Sequence, residues 1–238
     1  SSSAASDVYK RQNKCCMVKL FNRKQMTELI KMIAVIDYGA GNIRSVYKAL
    51  KHIGCECVIT RDKDEIMNAD GAVLPGVGSF GDTMDTMNSY GIKDTVIEYI
   101  NSEKPFLGIC LGLQLLFPES EESPNVKGLS VFDGTITKIP SGEGLKIPHI
   151  GWNRLKINEK SRLFKGIEQN AYVYFVHSYF LNASDRSIVS AQTEYGVTID
   201  AAVEKGNVFA TQFHPEKSGK TGLKILRNFA DIVKGREE

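Results

Sequence analysis

PFLGICLGLQLLF, residues 105–117, places a single cysteine between two apolar runs of different character. Before Cys110 stands PFLGI, a short apolar run typical of a buried strand, and after it stands LGLQLLF, a run typical of a helix. Gly108 and Gly112 lie two residues away on either side. Small neighbours permit a tight turn from strand to helix, so the pattern predicts that Cys110 occupies such a turn.

A side chain at the start of a helix faces unpaired backbone N–H groups, which favour an anion such as a thiolate. A thiolate is the nucleophilic form of cysteine. The layout parallels the Gly-x-Ser-x-Gly elbow of serine hydrolases, with Cys110 in the place of the serine. A buried structural cysteine is the alternative interpretation.

The first half of the chain alternates strand-like and helix-like segments. The strand-like segments are 32–37, 55–60, 71–76 and 105–109, and the helix-like ones are 43–53, about 80–88 and 93–101. This alternation predicts a mainly parallel sheet with helices on both faces. In the second half, strand-like segments occur at 131–139, 171–180, 187–196 and 208–213, before an amphipathic helix over 221–233. We therefore expect an α/β fold in which additional strands, some antiparallel, extend the same sheet.

Several polar turns follow predicted strands, where ligands of parallel sheets bind. These turns are DYGAGN (37–42), PGVG (75–78) and the turn at Cys110, and VFATQFHPEKS places His214 and Glu216 after one more strand. A cysteine nucleophile needs a base, and the base needs an acceptor that orients it. An extended segment points residues two apart in the same direction. A Cys110-His214-Glu216 triad is thus favoured over a surface loop with an incidental ion pair.

Composition excludes several classes of function. Residues 1–31 hold seven Lys/Arg and two Asp/Glu, and the remainder holds 23 basic and 26 acidic residues. A mildly acidic body argues against nucleic acid as a partner. The five cysteines form no Cys-x-x-Cys pair, which argues against a disulfide framework or zinc site and favours the reducing cytoplasm. No apolar run approaches the roughly 18 residues of a membrane span, and no metal, nucleotide or other cofactor site is indicated.

The first 31 residues are basic and serine-rich and show little periodicity. They could be an organellar transit peptide, a disordered native extension or an artefact. DVYKRQ (7–12) resembles a translated sequencing-adapter end, which favours the artefact. We expect the extension to end at residue 31 and one domain to occupy residues 32–238.

GICLGLQLLF together with QFHPE resembles the class I glutamine amidotransferase domain, and the resemblance covers most of residues 32–233. Within that class the chain most resembles the glutaminase subunits of imidazole glycerol phosphate synthases. Four segments carry this finer likeness: PGVGSFGDTM (75–84), PHIGWN (148–153), YFVHSY (174–179) and QFHPEKS (212–218). A glutaminase of the same class that serves a different synthase is the alternative. A non-enzymatic module is disfavoured because Cys110, His214 and Glu216 are all present.

The resemblance implies a flavodoxin-like fold and a cofactor-free reaction. Cys110 would attack the side-chain amide of glutamine, and His214, oriented by Glu216, would move the protons. The oxyanion hole would be formed by the backbone N–H groups of Val77 and Leu111. The resemblance also assigns glutamine contacts to Gly76, Gly78, Gln114, Ser178 and Tyr179. Taken alone, Gln114 could equally be an ordinary amide on a helix surface.

The resemblance further implies that the ammonia passes to a cyclase with a (β/α)8 barrel, in a step of histidine biosynthesis. This partner would be a separate chain, because 238 residues leave no room for a second domain of about 250 residues. We expect the partner face to include Asn42, Trp152 and Asn153. Trp152 is the only tryptophan, and a core position is its alternative interpretation.

Overall fold

The computed structural model describes residues 31–39, 41–142 and 144–236. The strands are β1 (Met32–Ile36), β2 (Glu56–Thr60), β3 (Gly71–Gly76), β4 (Phe106–Cys110), β5 (Glu119–Ser120), β6 (Gly134–Lys138), β7 (His149–Arg154), β8 (Lys156–Ile157), β9 (Tyr172–His177), β10 (Tyr179–Ala183), β11 (Val189–Glu194), β12 (Thr198–Lys205) and β13 (Val208–Thr211). The α-helices are α1 (Ile43–His52), α2 (Lys63–Asn68), α3 (Phe80–Ser89), α4 (Ile92–Asn101), α5 (Leu111–Gln114) and α6 (Gly219–Val233). Short 3-10 turns cover Arg186–Ile188 and Pro215–Lys217.

Most strands form one mixed sheet in the order β2-β1-β3-β4-β13-β12-β10-β6-β5, and β11 and β8 join it beside β12. The first five strands in this order are mutually parallel, whereas β12 is antiparallel to β13 and β10 is antiparallel to β12. The prediction of a mainly parallel sheet that antiparallel strands extend is confirmed. A separate two-stranded antiparallel sheet of β7 and β9 was not predicted.

The two faces of the parallel strands carry separate apolar cores, because successive strand residues point to opposite faces. In β1, Ile33 and Val35 pack in the cluster that holds α1 and α6. Ala34 and Ile36 pack in the cluster that holds α2, α3 and α4. All four side chains are almost fully buried, so β1 reads as a continuous apolar run.

The helix after Cys110 is much shorter than its apolar run predicted. LGLQLLF was interpreted as a helix, but α5 ends at Gln114. Beyond it the carbonyls of Leu115 and Leu116 accept hydrogen bonds from residues 129, 131 and 132 instead of continuing the helix. Pro118 follows, and a residue before proline is disfavoured in the helical region. Apolar spacing cannot distinguish this buried turn from a helix.

The run AYVYFVHSYF, expected as one strand-like segment, is divided between two sheets. β9 ends at His177 and belongs to the two-stranded sheet, whereas β10 begins at Tyr179 and pairs with β6. Ser178 lies between them, and its carbonyl accepts a hydrogen bond from the Ile139 amide. The chain therefore changes sheets at a residue that the resemblance assigned to substrate binding.

Other regular elements were missed as well, among them α2 and β12. Helix α2 is capped by Asp62, whose carboxylate accepts from the Glu65 amide at 2.9 Å, and the Asp-x-x-Glu spacing was a usable signal for it. Strand β12 lies near the middle of the sheet although its sequence was not singled out.

The predicted extension over residues 1–31 falls outside the described residues, apart from Lys31. The ammonium of Lys31 pairs with Asp70 at 2.7 Å, and the Met32 amide donates to the same carboxylate at 2.9 Å.

Candidate active site

The predicted turns meet at the carboxyl edge of the parallel strands. Gly76, the last residue of β3, is aligned with Cys110, the last residue of β4. His214 lies three residues beyond the end of the neighbouring strand β13, and its backbone amide donates to the Tyr174 carbonyl at 3.0 Å. The topology therefore gathers residues from four separate parts of the sequence at one edge.

Cys110 has an unusual backbone conformation, with φ 56° and ψ −104°. Positive φ is rare for a residue with a side chain and costs on the order of 1–3 kcal/mol. Such strained residues cluster at functional sites. Here the strained residue is Cys110, which is 7 % exposed and lies directly before α5. The strained turn supports the prediction of a nucleophile elbow rather than a purely structural cysteine.

The two flanking glycines are required by close packing. A Cβ atom on Gly108 would lie 2.6 Å from the Gly112 carbonyl oxygen, and one on Gly112 would overlap the Leu74 carbonyl oxygen. Neither obstacle is a flexible side chain, so both positions exclude alanine in this geometry. The glycines beside Cys110 thus let α5 start directly against β3 and β4.

The Cys110 sulfur has two polar neighbours. The amide nitrogen of Gln212 lies 3.7 Å from it, and the Val176 carbonyl oxygen lies 3.9 Å from it. Gln212 is fully buried at the end of β13, two residues before His214. The sequence analysis quoted Gln212 within QFHPE but gave it no role, and its position beside the histidine was the available signal.

The other two triad residues form a buried pair, although Glu216 lies in a 3-10 turn and not in the extended segment that was predicted. His214 Nδ1 lies 2.8 Å from Glu216 Oε1, and both side chains are completely shielded from solvent. Asn42 Nδ2 donates to the same carboxylate oxygen at 2.6 Å and lies 3.3 Å from His214 Nδ1. The hydrogen bond from the Asn42 amide stabilises the negative charge of this carboxylate. Asn42 was predicted to belong to the partner face, and because it is only half-buried, its contact with a partner stays a prediction.

The electrostatics of His214 connect it to the nucleophile. Burial alone lowers the pKa of His214, but the thiolate of Cys110 and the carboxylate of Glu216 outweigh burial and raise the pKa to about 9. The buried Nε2 atom meets no strict hydrogen-bond geometry with the described residues, although Cys110 lies close enough to raise the pKa of the imidazole. Catalytic hydrogen bonds of this kind often tighten only when substrate binds. The arrangement favours the protonated, imidazolium form of His214.

Gln114 is committed to internal contacts. Its amide nitrogen donates to the Tyr179 carbonyl at 3.0 Å and to Gln212 Oε1 at 3.1 Å, and the residue is only 5 % exposed. The alternative of an ordinary surface amide is therefore wrong. A direct contact of Gln114 with glutamine stays a prediction.

The remaining predicted site residues lie at or just beyond the ends of β3, β4 and β9. Leu111 begins α5, so its backbone N–H is not needed by the helix. Gly78 is exposed with φ 114°, and Val77 is half-buried against Gly41. Ser178 and Tyr179 are half-buried where the chain passes between sheets. The oxyanion and glutamine-binding roles of these residues stay predictions.

The hydroxyl of Tyr38 lies beneath the PGVG turn. Tyr38 is 1 % exposed, and its hydroxyl makes no hydrogen bond with the described residues. A Cβ atom on Gly76 would lie 2.6 Å from that oxygen. Burial raises the pKa of Tyr38, so the phenol stays neutral. Tyr38 therefore fills the space that a side chain on Gly76 would need.

Trp152 lies on the surface, so its alternative interpretation as a core tryptophan is wrong. It is 54 % exposed on β7, beside two further exposed side chains, Ile150 (59 %) and Tyr172 (47 %). Asn153 is half-buried, and its amide nitrogen donates to the Glu194 carbonyl at 2.9 Å. The amide of Asn153 is thus used inside the chain, and its contact with a partner stays a prediction.

The strained Cys110, the buried His214-Glu216 pair and the mixed sheet together define a cysteine-dependent amidotransferase. The profile of the family "Glutamine amidotransferase class-I" matches residues 34–233, and the chain belongs to this family. It is 50% identical over 203 residues to the imidazole glycerol phosphate synthase subunit HisH of Caldanaerobacter subterraneus subsp. tengcongensis, with 85% of this chain and 99% of the relative covered. The subunit of the same name from Methanothermobacter thermautotrophicus is also 50% identical over 203 residues, with 85% and 100% covered.

A comparison of folds agrees with this family. The solved structure of PurLQS from Thermotoga maritima superposes with a TM-score of 0.67 and 22% identity, covering 86% of this chain and 100% of that chain. At this identity the similarity concerns the fold alone. Among the described residues, no helix is long and apolar enough to span a membrane.

Proposed function

We propose that the chain is the glutaminase subunit of an imidazole glycerol phosphate synthase and supplies ammonia to a cyclase in histidine biosynthesis. The observation that carries the proposal is the strained Cys110 turn beside the buried His214-Glu216 pair. The likeness to the HisH subunits extends over 85% of the chain, which supports this synthase over another of the same class.

The reaction begins with the Cys110 thiolate. Its sulfur attacks the side-chain amide carbon of glutamine, and a C–S bond forms while the carbonyl oxygen becomes negative. The N–H groups of Leu111 and Val77 would stabilise that oxygen, and each such donor typically raises the rate by roughly 10²–10³. His214 then gives its proton to the amide nitrogen, the C–N bond breaks, and ammonia leaves a thioester on Cys110.

Hydrolysis of the thioester uses the same histidine in its neutral form. His214 accepts a proton from water, and the resulting hydroxide attacks the thioester carbon. The C–S bond breaks, glutamate leaves and the thiolate–imidazolium pair returns. Glu216 and Asn42 hold the imidazole in one orientation throughout, because Glu216 Oε1 bonds both His214 Nδ1 and Asn42 Nδ2.

We place the substrate between the PGVG turn and the Ser178–Tyr179 segment. Gly76 and Gly78 leave room for close backbone approach on one side, and Ser178 and Tyr179 offer polar groups on the other. Gln114 contributes chiefly by holding the Tyr179 carbonyl. This pocket would take the amino-acid end of glutamine and direct its amide toward Cys110.

The partner we propose is a separate cyclase chain with a (β/α)8 barrel. Exposed apolar side chains on the ribbon of β7 and β9 support a docking face close to the active site, since the Val176 carbonyl of β9 lies 3.9 Å from the Cys110 sulfur. Trp152 is its best anchor, because tryptophan is enriched among interface residues of large energetic effect. Free Cys55, Cys57 and Cys110 support a cytoplasmic setting.

Substitution of Cys110 by alanine tests the proposal in the complex with the cyclase. We expect Cys110→Ala to abolish glutamine-dependent synthesis of imidazole glycerol phosphate while synthesis from added ammonium salt survives. Cys57→Ala is the matched control, because Cys57 is a second buried free cysteine away from the site. Glutaminase activity retained by Cys110→Ala, or no ammonia-dependent synthesis with the cyclase, would contradict the proposal.

A further inference from the structure

Two buried histidines behind the nucleophile have no role in the mechanism described above. His149 begins β7 and His177 ends β9, and the two residues face each other in the antiparallel register. They are 3 % and 6 % exposed, and His149 Nδ1 lies 3.0 Å from His177 Nε2. They are the histidines of PHIGWN and YFVHSY, two segments singled out in the sequence.

The hydrogen bonds of this pair run in one direction. His177 Nδ1 lies 2.9 Å from the Tyr179 carbonyl, which can only accept, so Nδ1 carries the proton. Burial lowers the pKa of His177 to about 3 and that of His149 to about 4, so both rings are neutral at pH 7. Neutral His177 must then accept at Nε2, and His149 donates to it. Asn153 Nδ2 lies 3.4 Å from the remaining nitrogen of His149 and completes the chain.

Aromatic packing fixes the orientation of the rings. His149 is stacked between Tyr195 and Phe175, with ring centroids 3.8 Å and 4.8 Å from its own. His177 also packs against Phe175, at 5.6 Å. A ring held on both faces cannot turn its donor away, so the hydrogen bond from His149 to His177 persists as one geometry.

The chain of hydrogen bonds ends at the wall of the active-site pocket. The Tyr179 carbonyl that accepts from His177 also accepts from Gln114. Gln114 in turn bonds Gln212, whose amide nitrogen lies 3.7 Å from the Cys110 sulfur. The Ser178–Tyr179 segment is where the backbone passes from one sheet to the other, and the hydrogen bonds from His177 and Gln114 hold it in addition to the pairing with β6 that begins at Tyr179.

We propose that His149 and His177 are positioning residues for the glutaminase reaction, holding the Ser178–Tyr179 segment where it binds the amino-acid end of glutamine. The inference rests on the proposed function of that pocket. Both histidines belong to the two-stranded sheet, and His177 Nδ1 donates to the Tyr179 carbonyl at the start of β10 in the main sheet. The pair therefore fixes a carbonyl of the neighbouring sheet through a donor of defined direction. Trp152 lies three residues from His149 on β7. The hydrogen bonds of the two histidines therefore also connect the proposed docking face on β7 and β9 to the glutamine pocket.

Amide side chains can separate positioning from simple packing. The amide group of asparagine takes the place of histidine Nδ1, whereas that of glutamine takes the place of Nε2. His149→Asn therefore keeps a donor toward His177, and His149→Gln removes it. Both variants lose the same aromatic stack. His52→Gln, at an exposed position on α1, is the control for the substitution itself.

The experiment measures steady-state glutamine hydrolysis by the complex of each variant with the cyclase, together with thermal melting. We expect His149→Gln to raise the KM for glutamine about tenfold with little change in kcat, since one directed hydrogen bond is lost. His149→Asn should stay within about threefold of the unchanged KM, and its melting temperature should match that of His149→Gln. Iodoacetamide, which does not use the glutamine pocket, should alkylate Cys110 at equal rates in both variants.

Equal KM values in the two His149 variants, or losses of activity that follow melting temperature alone, would show that the pair has only a packing role. A fall in kcat without a rise in KM would also overturn the inference. If the unsubstituted complex hydrolyses no glutamine, it is the proposed function that fails.

Discussion

Asn42, Gln212 and Gln114 extend the proposed catalytic triad into a connected set of polar side chains. Asn42 donates to the triad carboxylate, and Gln212 reaches the sulfur. Asn42 and Gln212 therefore contact triad residues directly, and Gln114 contacts Gln212. The triad was predictable because Cys110 and the His214-Glu216 segment each follow a predicted strand, and such strand ends meet at one edge of the sheet. The amides were not, because their partners lie up to 174 positions away in sequence.

The raised pKa of His214 predicts how activity depends on pH. In the proposed mechanism the imidazolium protonates the leaving nitrogen, so kcat/KM for glutamine should fall as the pH rises through about 9. Glu216→Gln removes the carboxylate that stabilises the proton and should shift this fall to lower pH. The pH–rate profiles of the two complexes provide the measurement. An unshifted alkaline limb in Glu216→Gln would contradict the assignment of His214 as the acid.

Tyr38 and Tyr99 offer a matched test of the unpaired hydroxyl beneath the PGVG turn. Tyr99 is equally buried, but its hydroxyl donates to the Ala69 carbonyl at 3.3 Å. Tyr38→Phe should leave the free energy of unfolding unchanged or raise it by about 1 kcal/mol, because an unpaired buried donor is removed. Tyr99→Phe should lower it by about 1 kcal/mol. Chemical denaturation compares them, and equal losses would show that Tyr38 has a partner in solution.

At the scale of the elements, the strand-and-helix alternation of the first half was predictable, because each strand is a short apolar run bounded by polar turns. The failures share one cause: packing overrode local pattern. α5 stops after four residues although its apolar run continues, since a later loop takes the carbonyls of Leu115 and Leu116. Likewise Ser178 divides one strand-like run between two sheets, and only tertiary pairing specifies that break.

Gly112 tests whether the short helix must begin against β3. A methyl group there overlaps the Leu74 carbonyl, and overpacking of this kind costs typically about 1–3 kcal/mol. Gly112→Ala should therefore lower the free energy of unfolding and, by shifting the Leu111 N–H, also lower glutaminase activity. Gly142→Ala is the control, since Gly142 is exposed without a positive φ and its Cβ position meets only the flexible end of the Leu145 side chain. A loss of stability no greater than that of Gly142→Ala, with full activity, would contradict the packing argument.

At the scale of the whole molecule, the parallel half provides the nucleophile and the second half provides almost everything that surrounds it. Cys110 ends β4, whereas His214 and Glu216 follow β13. These two strands are neighbours in the sheet, although the antiparallel strands lie between them in the sequence. The ribbon of β7 and β9 then covers the sulfur from one side and exposes Trp152 on the other. The surface that would meet a partner is thus built from the same two strands that border the active site.

Trp152→Ala separates docking from folding. Because the side chain is already 54 % exposed, the free energy of unfolding should fall by less than the roughly 3–5 kcal/mol typical of a buried tryptophan. Affinity for the cyclase should fall by about thirtyfold or more, as expected for an interface anchor worth about 2 kcal/mol. Thermal melts and partner titrations measure the two quantities. A large loss of stability with unchanged affinity would place the tryptophan outside the interface.

The central claim is that Cys110 is the nucleophile of a glutamine-specific site, and covalent labelling tests it most directly. A chloroketone analogue of glutamine loses chloride when a thiolate attacks its methylene carbon, and peptide mass spectrometry locates the new C–S bond. We predict one label per chain, on Cys110, with protection by free glutamine and no label on buried Cys55 or Cys57. Labelling spread over several cysteines, or labelling of Cys110 that glutamine does not slow, would contradict the account.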